Sequence, residues 1–170
     1  MVSKSRRILH LNHNLIMEKI TDIERAMALL DRITLMEKEA FLSDQIVISG
    51  AKYQLILAIE AAQNICNHLA ARVAKEVPDS YADCFRILAE NRILSKSLMV
   101  KLASMAKFRN LLVHQYGKVD DSTVYSILKS DVRDIISYVE EIKSFLISAG
   151  EEKSRAQRKT PPGGRGENKD

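Results

Sequence analysis

Tyr53-Gln54-Leu55-Ile56-Leu57-Ala58-Ile59-Glu60-Ala61-Ala62 is the stretch on which the fold turns. It is apolar almost all round, and a helix of that kind is buried between neighbours rather than laid on a surface. From Gln45 to Lys75 only Gly50 interrupts the helical reading, and Ser43 and Asp44 each offer a side chain to cap the first turn. The segment therefore reads as the central helix of a bundle. Glu60 and Asn64 sit inside it one turn apart. They read as a satisfied polar pair, in the core or at an interface, since buried polar groups mostly do structural work.

Outward from this helix the same periodicity continues. Upstream, Ile16, Ile20, Ile23, Met27, Leu30 and Ile33 recur in steps of three and four, with Glu18, Asp22, Glu24, Arg25 and Asp31 between them. That spacing predicts an amphipathic helix from Leu15 to Ile33. Thr34 can cap a short helix running to about Leu42. Downstream, Val77-Pro78-Asp79-Ser80 is a break followed by a cap, and Tyr81 to Glu90 a short helix. Ser95 can cap the next helix, whose stripe is Leu98, Leu102, Met105 and Leu112. Gly117 closes it, where a positive-φ residue often ends a helix. Asp120, Asp121 and Ser122 begin a last helix carrying Val124, Leu128, Val132, Ile135, Val139, Ile142 and Leu146. After Gly150 the chain turns to Glu, Lys, Arg, Gln, Gly and Pro, a composition that cannot bury a core. The expected fold is all-α, a bundle of about five helices. One domain spans 15–148, between an N-terminal extension at 1–14 and a disordered basic tail at 149–170.

Composition agrees. The chain has 170 residues, 46% of them hydrophobic and only 5% aromatic, with three prolines and six glycines. A strand-rich sandwich of this length would need more turn residues. The net charge of +4 allows a nucleic-acid partner without requiring one, and part of it lies in the tail. Cys66 and Cys84 make no CxxC and no zinc spacing, and read as small buried hydrophobes in a reducing cytosol. Leu9 to Met17 is broken by His10, Asn12, His13 and Asn14, which is not a signal-peptide core. No stretch approaches the roughly 18 apolar residues of a membrane span. A soluble cytoplasmic protein is expected, with no membrane contact.

The chemistry centres on Arg109-Asn110-Leu111-Leu112-Val113-His114-Gln115-Tyr116. Arginine supplies a planar, always-charged fork for phosphate oxygens and for charge that builds in a transition state. Histidine can shuttle protons near neutral pH. Asn110 lies four residues before His114, on nearly the same helix face, and can position a hydroxyl or an imidazole. Arg109 and His114, five apart, point roughly 140° away from each other on an unbroken helix. Either the helix distorts before His114, or two copies of the chain build the site together across a two-fold interface. Such a set suits RNA cleavage, because the 2′-hydroxyl is itself the nucleophile. No cofactor is expected: no GxGxxG or GxxxxGK[ST] loop is present. No metal is expected either. HExxH and DxDxDG are absent, and His10 and His13 lack a completing ligand set, reading as solvated residues of a fraying N-terminus.

At these residues the chain resembles a known family. Arg109-x4-His114-x-Tyr116 resembles the Rx4HxY motif of HepT-like toxins, members of the HEPN superfamily. Pro78-Asp79-Ser80-Tyr81 with Phe85-Arg86-Ile87-Leu88-Ala89-Glu90 looks like the family's stretch before the motif helix. Phe108 to His114 with Val119-Asp120 looks like its core, and Ala58-Ile59-Glu60-Ala61 with His68 resembles its central helix. The likeness covers roughly residues 15–147. It departs at Asn64, where the family often carries an acid. The resemblance implies an antiparallel HEPN bundle that forms a homodimer, with the two motifs meeting in a cleft. It implies a metal-independent endoribonuclease, with transfer RNA a class of target, in which Arg109 and His114 are catalytic and Asn110 supports them. It implies a cognate MntA-type nucleotidyltransferase antitoxin that transfers AMP onto Tyr116. The adduct would place negative charge and bulk where an RNA phosphate must sit. A second reading keeps the fold without the chemistry: a non-catalytic HEPN dimer binding a nucleotide or a partner, including as the substrate-binding subunit of a nucleotidyltransferase.

Overall fold

A computed structural model describes residues 11–158, with backbone alone for Tyr116 and for 152–158. The described residues form seven α-helices and no strand, so the all-α expectation holds. Helix α1 spans His13–Thr34, α2 Lys38–Leu42, α3 Gln45–Leu69, α4 Tyr81–Glu90, α5 Lys96–His114, α6 Asp121–Ser130 and α7 Arg133–Arg158.

Side-chain caps set most of the starts. Asn12 accepts the Leu15 N–H at α1, and Asp44 accepts the N–H groups of Ile46 and Val47 at α3. Ser80, Ser95 and Asp120 do the same for α4, α5 and α6. Each satisfies amide groups that a helix leaves without partners in its first turn. Thr34 is the exception. It ends α1, and its hydroxyl turns back onto the Asp31 carbonyl at 2.7 Å, so it caps nothing ahead of it. Glu37 precedes α2 without a side-chain cap.

The long helices alternate in direction. The Asn12 N–H at the start of α1 donates to His68 Nε2 near the end of α3, at 3.0 Å. At the other end, Ile33 and Met36 share a groove with Gly50 near the start of α3. Helix α7 runs against both α1 and α5. Lys143 meets Glu24 where Arg133 meets Asp31, and Ser95 meets Glu141 where Lys101 meets Asp134. Tyr138 of α7 is fully buried, its hydroxyl donating to the Ala62 carbonyl of α3 at 3.0 Å and its ring meeting Phe85 edge-on. Burial without a charge to favour the phenolate pushes its hydroxyl pKa well up.

Several details depart from the sequence reading. Helix α3 passes into a wider turn at Ala70–Ala74, closed by Lys75 at φ 64° and by the Glu76 N–H returning to the Ala70 carbonyl. Helix α3 is not buried all round: Tyr53 is 57% exposed and Leu57 also faces out. Glu60 and Asn64 form no pair. Asn64 is exposed, and the buried polar residue is its neighbour Gln63, which donates to Asn67. Helix α5 stops at His114 with Gln115 as its cap, and no described glycine has positive φ, so Gly117 does not close it. The last helix is two, α6 and α7, separated at Asp131-Val132, which lets Val132 stay in the core. Helix α7 continues through Arg158, past the polar shift at Gly150, and His13 opens α1. The rest of the tail, 159–170, and His10 with the first ten residues lie outside the described residues.

The cysteines need the largest correction. Cys66 of α3 and Cys84 of α4 are joined as a disulfide, with their Cα atoms 6.0 Å apart. Both are buried, as expected of small hydrophobes. Their bond is tertiary in origin, because α3 and α4 pack side by side across the Pro78 break.

Candidate active site

Helix α5 buries Leu98, Leu102, Met105, Ala106, Phe108 and Leu112. That face fixes where its other residues point. Arg109, beside Phe108, falls on the flank turned toward α3 and α4, and its side chain is only 14% exposed. Its Nη2 donates to Glu60 of α3 in an ion pair. Its guanidinium lies 5.1 Å from the centre of the Tyr81 ring of α4. Its Nη1 donates to Asn110 Oδ1 at 3.3 Å. Its Nε is buried and makes no hydrogen bond.

Asn110 and His114 are exposed on the same helix. The helix runs unbroken to His114, and the Gln115 N–H closes on the Leu111 carbonyl at 2.8 Å. The distortion that could have brought Arg109 and His114 together is therefore not made. Among the described residues, one chain joins Arg109 to Asn110 and leaves His114 apart. Tyr116 opens a short 3₁₀ turn, Tyr116–Lys118, immediately after the helix.

The chain beyond that turn is anchored firmly. Asp120 caps α6, and the Thr123 hydroxyl, then backbone amides, hold its carboxyl below the usual range. Lys52 of α3, 7% exposed, pairs with Asp121 at 2.8 Å. The stretch carrying Tyr116 is thus tied to the central helix just past its end. A third feature lies away from the motif. His68 accepts the Asn12 N–H, and burial, then the charges of Arg72 and His13, lower its pKa below the ordinary 6.5.

Two partners of Arg109 were not assigned from the sequence. Glu60 carried a signal, an acid in an otherwise apolar helix, but its partner lies 49 residues away. Tyr81 carried none, being the first residue after a cap. Among the described residues no group of three or more His, Cys, Asp or Glu could hold a metal ion, and no helix is long and apolar enough to cross a membrane.

The helical bundle thus presents an arginine and a histidine five residues apart on one helix. The family described as "Ribonuclease HepT-like" matches residues 23–142, and the chain belongs to it: it is a HepT-like ribonuclease. It is 24% identical to an mRNA nuclease HepT of Shewanella oneidensis over 136 residues, covering 78% of this chain and 98% of that one. It is 28% identical to a tRNA nuclease HepT of Aphanizomenon flos-aquae over 109 residues, 64% of this chain and 73% of that one. Among solved structures it superposes with a TM-score of 0.72 on a tri-AMPylated S. oneidensis HEPN toxin in complex with an MNT antitoxin. There the identity is 24%, over 78% of this chain and 98% of the other.

Proposed function

We propose that this ribonuclease is the toxin of a type VII toxin–antitoxin pair and works in the cytoplasm as a homodimeric RNA endonuclease, with transfer RNA as its target class. The observation that carries the reading is the division of the motif: Arg109 is held inward against Glu60 and Tyr81 while His114 stands exposed at the helix end. A second copy related by a two-fold axis supplies the missing partner for each. Exposed apolar residues on the neighbouring surfaces, Leu57 of α3 and Leu111 and Val113 of α5, suit such an interface. The working unit is 15–148, with 1–14 and 149–170 as flanks.

In this scheme the RNA 2′-hydroxyl attacks the adjacent phosphorus and the bond to the 5′-oxygen breaks, leaving a cyclic phosphate and a free 5′-hydroxyl. His114 moves a proton at the attacking or the leaving oxygen, and Arg109 faces the charge on the phosphoryl oxygens. Asn110 holds the arginine's outer edge. No step needs a metal or cofactor. The cognate antitoxin is an MntA-type nucleotidyltransferase that transfers AMP from ATP to the Tyr116 hydroxyl, releasing pyrophosphate. The nuclease relatives, one named for mRNA and one for tRNA, support an RNA endonuclease, the second of them the transfer-RNA class, and the AMPylated toxin complex supports the antitoxin reading.

The test is cleavage of a tRNA pool by pure protein, with and without EDTA. Cleavage insensitive to EDTA is expected, with losses of about 10²–10³ in Arg109→Ala and in His114→Ala. A folded dimer that leaves RNA intact would support the non-catalytic binding module instead. Intact mass after co-expression with the antitoxin should show AMP added in the parent and not in Tyr116→Phe.

A further inference from the structure

The structure assigns Tyr81 as a positioning residue for Arg109, acting through the face of its ring. The inference rests on the ribonuclease reading for its consequence, but not for its geometry.

Three observations converge. The guanidinium sits 5.1 Å from the ring centroid, within the reach of a cation–π contact. The arginine is mostly buried, so water screens that contact poorly. The ring itself is fixed from behind. Tyr81 is the first residue of α4, directly after the cap Ser80, whose hydroxyl accepts the Asp83 N–H at 3.1 Å. The Asp83 carboxylate in turn accepts the Asp79 N–H at 3.0 Å and pairs with Arg86. The helix start is thus tied on both sides of Tyr81, and the ring packs against the core. Three residues further along, Cys84 bonds α4 to α3, the helix that carries Glu60.

The two supports of Arg109 differ in kind. Glu60 holds it by charge, at an edge that a phosphate also wants. A phosphate that takes that edge must displace or share the carboxylate. The ring holds the guanidinium by its face, which no phosphate oxygen needs, and so keeps it aimed while the edge changes partner. No hydrogen bond from the Tyr81 hydroxyl enters this role.

The experiment compares Tyr81→Phe, which keeps the ring, with Tyr81→Leu and Tyr81→Met, which remove it, in the full chain. The first readout is the Nε–H resonance of Arg109 in arginine-labelled protein, identified by its loss in Arg109→Lys. A ring face shields nearby protons, so this resonance should be shifted upfield in the parent and in Tyr81→Phe, and should return to the ordinary arginine position in both aliphatic variants. The second is kcat/KM for RNA: unchanged in Tyr81→Phe and lower by roughly tenfold in Tyr81→Leu and Tyr81→Met, the scale of one partly desolvated cation–π contact. Melting curves identify which aliphatic variant keeps its fold, and that variant decides. The inference is overturned if that variant cuts RNA at the parental rate, if its Arg109 resonance does not move, or if Tyr81→Phe loses as much as Tyr81→Leu. A parent that cuts no RNA would sink the ribonuclease reading alone, since the resonance still decides whether the ring holds the arginine.

Discussion

Arg109 and His114 share one helix and live in opposite surroundings. The arginine is gripped by an acid from α3 and a ring from α4, with little of its side chain in water. The histidine is the last helical residue, exposed, with the chain turning away directly after it. The fold completes the first half of the motif within one chain. The second half is left in solvent, where the proposed second copy or the RNA would meet it.

The sharpest way to break this comparison is to separate the halves. Arg109→Ala and His114→Ala should each lower RNA cleavage by about 10²–10³, and mixing the two after partial unfolding and refolding should restore activity that neither has alone, because one cleft of a mixed dimer then holds an intact arginine and an intact histidine. No restoration would place both groups on one chain's side of the cleft. The same pair should differ in stability. Arg109→Ala loses the ion pair and the ring contact and should melt earlier, by about 1–2 kcal/mol, while His114→Ala should melt like the parent.

The gripped half can be loosened from further away. Cys66→Ala removes a crosslink with a sequence separation of 18 residues, and should cost about 3 kcal/mol of stability. Alkylation followed by mass measurement should label the two cysteines only after reduction and unfolding. Label on both in the unreduced, unfolded protein would remove the crosslink from the account.

A smaller effect tests the far end of α3. His68 has a lowered pKa because burial, then Arg72 and His13, disfavour its charged form. The unfolded chain therefore binds the proton first on acidification. The stabilisation is complete above the ordinary value of 6.5 and declines as pH falls below it, levelling off once the folded imidazole also titrates. Melting temperatures taken from about pH 8 to about pH 5 should show that decline, and His68→Gln should flatten it while leaving RNA cleavage unchanged. The smallest effect is at Gly50. A Cβ there meets nothing within 4 Å, so Gly50→Ala should stabilise α3 by about 0.5–1 kcal/mol in thermal melts.

Local chemistry was the legible part. Asp44, Ser80, Ser95 and Asp120 cap helices where their side chains predict it, and the stripe from Ile16 to Leu30 is buried as its spacing requires. Arg109, Asn110 and His114 stand on one continuous helix, but that helix ends before Tyr116, which opens the 3₁₀ turn beyond it. What escaped was tertiary. Glu60 faced a choice between Asn64, one turn away, and a cation brought by another helix, and the ion pair prevailed because a charge near the interior needs an opposite charge more than an amide. The Cys66–Cys84 bond follows from how α3 lies on α4, which no spacing encodes. The break at Asp131-Val132 carries no glycine or proline. Val124 and Leu128 are buried from α6, while Ile135, Tyr138 and Ile142 are buried from α7.

The double grip on Arg109 also has an entropic consequence. A free arginine samples many rotamers, and freezing them costs about 2 kcal/mol. Here the bundle has already frozen them when it folds. A phosphate that reaches this side chain meets a fork with its orientation already set, so little of their attraction goes to ordering the arginine, and what it must overcome is the Glu60 carboxylate at the same edge.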